Sequence, residues 1–338
     1  MVREFLKVMF FPLVLVRRKI LKNRSKRNQL RVFDYDKNRF LRYAGCFDKD
    51  SRESKLAGII MAYHILEKGL TMPRRHLDFG HAAVLDLLAK VNNFAEIWGE
   101  TDPQIKHAIG VVKSYLKMHQ DEKFDFSKDV LFWQRVKKFC ETHDNVMPSN
   151  QYHFLHEDFF ADTDKDFKAF AQSWHTLRYY SEPIPDNVIT SVVSLAMTAP
   201  SACNRQHTRV HCISNHILRD QVLSIQNGNR GFGTDADKLL VITTCLSDIQ
   251  YIEERNDPYV NAGIFIMNLC YSLHYYKIAC CILNWHASPE TDIKARELMN
   301  IPDSESIVAI ISCGIPPKEF DVAQSPRKKV EDILVNHL

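Results

Sequence analysis

Four short strings concentrate side chains able to hold a small charged ligand: Trp174–Tyr180 (WHTLRYY), Ala199–Gln206 (APSACNRQ), Asn227–Phe232 (NGNRGF) and Ser325–Lys329 (SPRKK). Arg178 and Arg327 bring guanidinium forks suited to phosphate or carboxylate. His175, Thr176 and Ser201 add hydrogen-bonding groups, and the amides of Asn204, Gln206 and Asn229 each offer a donor and an acceptor. Plain structural readings stand beside these. Arg178 is then a surface cation, Thr176 a cap, Ala199–Gln206 a Pro-terminated helix and polar turn, and Gly228 and Gly231 turn formers. Glycine-rich phosphate loops, a serine nucleophile elbow and a His-Glu-x-x-His zinc motif are all absent. His153 and His156 in HFLHED would lie one helical turn apart, but no further ligands follow at ordered spacing, so no metal is expected.

The elements that must position these strings alternate in character along the chain. Apolar residues recur at helical spacing over Leu56–Leu70, His81–Phe94 and Gln104–Met118. The segment Glu67–Gly80, punctuated by Gly69, Pro73 and Gly80, reads as a structured loop carrying Arg74, Arg75 and His76. Residues 122–167 mix aromatics with charges and read as a linker folded onto something else. Beyond Phe167, helix and strand patterns alternate. A helix opens at Pro185 and Asp186, with Asp186 as N-cap, and stops near Pro200. Strands are expected at Thr208–Ile213, Lys238–Cys245, Cys280–Asn284 and Ser306–Cys313, and helices at Tyr259–Ala279 and Asp292–Met299. The helix Tyr259–Ala279 is apolar nearly all round, so a large core or a second subunit must cover it.

The 338 residues, 45% hydrophobic and 25% charged, describe an ordinary globular chain with material for one or two domains. A net charge of +3 is too small to argue for nucleic acid. Ten basic residues fall between Arg3 and Arg31 with Glu4 the only acid, around an apolar run Val8–Val16. Nine residues do not span a bilayer as a helix, and the charge order is wrong for a secretory signal. That segment packs on its own protein or rests on an anionic membrane surface. Nine cysteines without a Cys-x-x-Cys pair read as reduced thiols, and the expected location is cytoplasmic, with peripheral membrane contact through residues 1–31 as the alternative.

In order and spacing, the four strings and the apolar elements between them resemble the nitroreductase family over roughly Phe170–Leu334, about half the chain. The resemblance implies an α+β layered fold, a central sheet flanked by helices, over residues 166–338, preceded by a mainly helical extension over residues 1–165. It implies FMN as cofactor, NADH or NADPH as reductant, a small organic substrate, and a homodimer with the flavin at the interface. The matching positions are His175, Thr176 and Arg178 for phosphate and pyrimidine contacts, and Ser201, Asn204 and Gln206 on the loop beside the flavin. Asn229 matches a pyrimidine-edge position, Asn284 and Trp285 the strand end facing the reactive nitrogen, and Arg327 the phosphate. No side chain is assigned as catalytic, because the flavin carries the electron transfer. The chain departs from the family where Trp174 replaces an arginine, His207-Thr208 replaces Pro-Trp, and Lys277–Ala279 replaces glycines. The N-terminal half is similar to extensions of nitroreductase-like proteins of cell-surface polysaccharide clusters, which would link the chain to polysaccharide biosynthesis. The rival reading is a catalytically degenerate flavin-binding or interaction module, including a membrane-associated scaffold.

Overall fold

The computed structural model describes residues 30–73, 75–185 and 187–337. The basic N-terminal segment up to residue 29, Arg74 and the proposed cap Asp186 lie outside the described residues. Helix α1 (Arg31–Tyr43) buries none of its residues and is tied to the rest by Asp36, which accepts from Arg255 Nε at 2.5 Å.

Three long helices and a shorter one then build the first core. Helix α2 (Arg52–Leu70) starts where Ser51 Oγ accepts from the Ser54 amide at 3.3 Å. Helix α3 (His81–Trp98) follows Gly80, whose φ of 74° needs a residue without a Cβ. Helix α4 (Pro103–Asp121) combines an Asp102 cap with proline in its first turn. Helix α5 (Val130–Thr142) occupies the stretch expected to be a linker. Its Phe132, Trp133, Val136 and Phe139 are buried against Leu87, Ile109 and Tyr115, so the interleaved aromatics are the core face of a helix. The loop expected from Glu67 begins only at Thr71, since Glu67–Leu70 complete α2.

The second half is layered about a four-stranded antiparallel sheet of order β2-β3-β5-β4, formed by β2 (Thr208–Ile213), β3 (Lys238–Cys245), β4 (Ala279–Asn284) and β5 (Glu305–Gly314). Alternate residues of β3 feed opposite cores. Leu239 and Val241 pack with Val222 and Leu223 of α9 (His216–Ile225) and Ala295 of α11 (Pro289–Met299). Leu240 and Ile242 pack with Val192 and Ala196 of α8 (Val188–Ala196) and Leu269 and Leu273 of α10 (Asp257–Tyr275). Burial on both faces explains why β3 reads as an unbroken apolar run. A two-stranded antiparallel ribbon joins β1 (Tyr152–Leu155) to β6 (Glu319–Val322), pairing Tyr152 with Val322 and Leu155 with Glu319. Between them in sequence, a single turn α6 (His156–Phe159) and helix α7 (Phe167–Ser173) lead into the first ligand-type string. The fold is thus α+β with a helical N-terminal region, as expected.

Helix α10 ends at Tyr275, four residues earlier than its apolar pattern suggested. The amide of Lys277 bonds to His274 O at 2.9 Å and that of Ile278 to Leu273 O at 2.9 Å, a Schellman closure with Lys277 at φ 58°. This is where the resemblance described above leads one to expect glycines and the chain has Lys277–Ala279. Left-handed backbone costs an L-residue about 1–2 kcal/mol, against glycine's extra chain entropy of about 0.5–1 kcal/mol. Lys277 is exposed, so Lys277→Gly is expected to stabilise the protein by up to about 1 kcal/mol in urea titrations. A destabilised variant would contradict that account of the turn.

Among the described residues no helix is long and apolar enough to cross a membrane.

Candidate functional site

The segment after α7 belongs to no helix or strand. Leu177 and Tyr179 are buried, while His175, Thr176 and Arg178 are only partly so. Its path is fixed by Tyr180, whose hydroxyl lies 2.9 Å from the carbonyl oxygens of both Leu177 and Ser312. It is fixed also by Gly314, where an added Cβ would come within 2.6 Å of Tyr180 Cβ. The Leu177 amide donates to Cys280 O at 3.1 Å, docking the segment on β4.

His175, Thr176 and Arg178 open onto a cavity of about 800 Å³, and the C-terminal tail Val322–Arg327 forms another of its walls. Arg327, 149 positions after Arg178, is thereby brought to the same site. Helix α2 adds Ile60, Tyr63 and His64, and Trp174, Met267 and Tyr271 add apolar surface. Among the described residues, no aspartate or glutamate lines this cavity. Tyrosines aside, its ionisable lining is basic, with Arg178, Arg327, His64 and His175. Burial and then the charge of Arg327 lower the His175 pKa, an effect that an entering anion would offset. Lys68, one turn beyond His64, is likewise lowered by burial and then by Arg178. Burial raises the Cys281 thiol to about 11, with Arg178 pulling the other way. The volume lies in the range of cofactor sites, and one end offers cations while the walls offer rings and apolar side chains. This donor set suits a flavin nucleotide phosphate.

Ser201 and Gln206 line a different cavity of about 780 Å³, between α8, β2 and α10. The loop that carries them is tightly turned, with Cys203, Asn204 and Gln206 at φ 50°, 54° and 52°. Arg205 holds it from behind through a bidentate pair with Glu254 at 2.8 and 3.0 Å. Asn261 of α10 adds a clamp, accepting from the Ala202 amide at 3.2 Å and meeting His207 Nε2 at 2.9 Å. His207, where the resemblance leads one to expect proline, is therefore a fully buried anchor of the loop. Asn204 is within the loop but not on the cavity wall. Its Oδ1 and backbone oxygen accept from Gln206 Nε2 at 3.2 and 3.3 Å.

The remaining expected residues form a third group. Asn229 Nδ2 donates to Leu223 O at 2.8 Å, Gln226 O at 2.7 Å and Gln226 Oε1 at 3.0 Å, so its donor closes its own turn. Gln226 Nε2 reaches Asn284 O at 2.9 Å, which links the Asn229 turn to the end of β4. Trp285 Nε1 donates to Asp292 Oδ1 at 2.7 Å and its ring packs against the sheet core. None of these three lines either cavity in the single chain. His153 and His156 do not converge. His153 pairs with Asp321 at 2.9 Å and His156 with Pro316 O at 3.2 Å, and no metal-ready group of three or more such ligands occurs among the described residues.

Three residues of this region were not read from the sequence: Gln226, which ties the Asn229 turn to β4, His64 on the cavity wall, and Glu67, which lies behind that wall with its carboxylate 3.4 Å from His64 Nδ1. The spacing of His64 and Glu67, three residues apart on a helix, was the available signal.

Residues 171–226 and 215–315 match the family model described as the Nitroreductase family. A curated relative, the iodotyrosine deiodinase of Nematostella vectensis, is 25% identical over 199 residues, covering 50% of this chain and 74% of its own. Among solved structures, an FMN-dependent nitroreductase from Clostridium difficile R20291 is similar at 17% identity and a TM-score of 0.42, covering 50% of this chain and 98% of that one. The NADPH:FMN oxidoreductase of Vibrio harveyi, complexed with NAD+, is similar at 15% identity and a TM-score of 0.45, covering 53% of this chain and 77% of that one.

Proposed function

We propose that this chain, which carries a nitroreductase-family domain between residues 171 and 315, is an FMN-dependent oxidoreductase that draws hydride from NADH or NADPH. The observation carrying this reading is the cavity that gathers His175, Thr176, Arg178 and Arg327 from distant parts of the sequence, with no acid on its wall among the described residues. When bound, the flavin supplies the redox chemistry, accepting a hydride and returning it to a small organic substrate. The protein's share is placement and charge. Arg327 and His175 would hold the phosphate, Thr176 would add a hydroxyl contact, and Arg178 would place positive charge where a reduced flavin carries negative charge.

Homodimerisation belongs to the same reading. Helix α10 covers only one side of itself within a chain and leaves Tyr259, Val260 and Ile264 exposed, while Leu195 and Met197 are exposed at and just after the end of α8. A second copy would cover this face and bring the cavity with Ser201 and Gln206 alongside a neighbouring flavin.

The test is a titration of purified protein with FMN, followed by visible absorbance under NADH and NADPH without oxygen. Saturation at one FMN per chain with bleaching of the flavin band is expected. Protein that takes up no FMN would overturn the reading. For the second substrate, the 25% likeness to a deiodinase favours reductive dehalogenation as the reaction to assay beside nitro reduction.

A further inference from the structure

Glu67 is fully buried, an uncommon place for a carboxylate, and it belongs to the helical half rather than to the layered domain. Four donors converge on it: His107 Nε2 at 2.7 Å, the Ser325 amide at 3.2 Å, and His64 Nδ1 and Ser325 Oγ, each at 3.4 Å. Burial alone would raise its pKa, but the hydrogen bonds from His107 and His64 outweigh that and hold it at about 2. The group is therefore a permanent buried anion.

Two of its partners lead to the cavity's cations. Arg178 Nη2 lies 3.4 Å from His64 Nε2, so with Nδ1–H directed at Glu67 the imidazole accepts from the arginine. Ser325 precedes Arg327 by two residues and sits at φ 41°, a left-handed conformation that a serine adopts only under constraint. Glu67 takes both its amide and its hydroxyl. The neighbouring tail contacts come from the same N-terminal half. Gln104 Nε2 donates to Pro326 O at 3.4 Å, Ser149 Oγ to Gln324 Oε1 at 2.9 Å, and the Gln324 amide to Gln151 Oε1 at 3.1 Å. The tail bearing Arg327 is thus shaped by residues outside the span that matches the family model.

We propose that Glu67 is a positioning residue of the cofactor site, setting Arg327 through Ser325 for the phosphate and Arg178 through His64 for the charged edge of the flavin, so that the helical half completes the receptor. The inference rests on the FMN reading above. An ion buried among donors from three segments fixes their mutual geometry, because any one of them moving leaves the charge uncompensated. The helical half is then a working part of the site rather than a separate module.

The test compares FMN with riboflavin, which lacks the phosphate, by quenching of flavin fluorescence in the full-length apoprotein. Glu67→Gln is expected to lower the preference for FMN over riboflavin about tenfold, the scale of losing a supporting partner behind a ligand. Ser325→Pro, which removes the amide donor and the hydroxyl and forbids a positive φ, tests the tail arm in a segment outside the described hydrophobic cores, and the same loss of preference is expected. An unchanged preference in either folded variant, or equal losses for both ligands, overturns the proposal. Wild-type protein that binds neither flavin overturns the FMN reading first, and so separates the two failures.

Discussion

Replacing Arg327 with alanine is expected to weaken FMN binding about 10- to 100-fold and to leave riboflavin binding within about twofold, as read by fluorescence quenching at fixed ionic strength. A charge-assisted hydrogen bond to phosphate contributes about 1.5–3 kcal/mol, and each 1.4 kcal/mol is a factor of ten. Arg327 is held only loosely, through a long bond of 3.4 Å from Nη1 to Ser325 O, and among the described residues no acid lines the cavity to pair with it. Truncation therefore removes a cation without leaving a buried partner orphaned, so a general loss of stability is not expected. Arg327→Lys should recover only part of the preference, because an ammonium lacks the planar fork. If alanine lowered the affinities for FMN and riboflavin together, Arg327 would be supporting the fold rather than the phosphate. If neither affinity moved, the phosphate would lie elsewhere.

The sequence exposed elements whose order is local and hid those made by distant pairing. β2 and β3 were legible to the residue: KLLVITTC is an apolar run buried on both faces, and TRVHCI sets β-branched and apolar residues in alternation with polar ones, as a half-exposed edge strand does. β1 and β6 were not. Each has four residues, they pair across more than 160 positions, and nothing in YHFL or EFDV announces a partner. Helix α5 was obscured because Phe132 and Trp133 stand beside charges, although Val136 and Phe139 continue the same face. Helix α9 lacked a pattern strong enough to notice, with Val222 and Leu223 supplying most of its buried apolar surface.

The candidate site divides along the same line. Strings rich in polar residues advertised Arg178, Thr176 and Arg327, and the fold brings them to one cavity. Asn229 and Trp285 looked equally available in sequence, but their donors are spent on neighbours three to seven residues away. Glu67 was hidden for the opposite reason. A glutamate at helical spacing reads as a solvated charge, and what buries it is a tail more than 250 residues downstream. Local satisfaction and distant burial are both invisible to spacing, and together they decided which polar residues face the cavity.

Acid is expected to destabilise the apoprotein well before its carboxylates titrate, with His274 as the main cause and His119 and His175, also lowered by burial, acting in the same direction. The His274 imidazole is almost wholly buried on α10 among Phe159, Phe160 and Phe170, and its Nε2 lies 2.9 Å from Ser173 Oγ. Burial, then the charge of neighbouring His175, lowers its pKa from 6.5 to about 4. Above pH 6.5 the folded and unfolded states both hold it neutral, and the group does not affect their balance. Between 6.5 and about 4 the unfolded chain takes up the proton first, so stability falls as pH falls, by about 2.5 kcal/mol at pH 4.5, and levels off below about 4. Glu67 acts in a separate window, since its depressed pKa gives stability above about 4.5 that is lost as pH falls through about 2. Urea titrations of wild type and His274→Gln at pH 7.5 and 4.5 isolate the histidine. The stability lost between these two values should be smaller by about 2 kcal/mol in the glutamine variant. Equal losses in the two proteins would mean that His274 is not held neutral. The consequence reaches the cavity, because His274 stands behind His175 and His175 stands beside Arg327. A neutral His274 keeps a further positive charge away from His175, which burial and Arg327 already hold back from protonation.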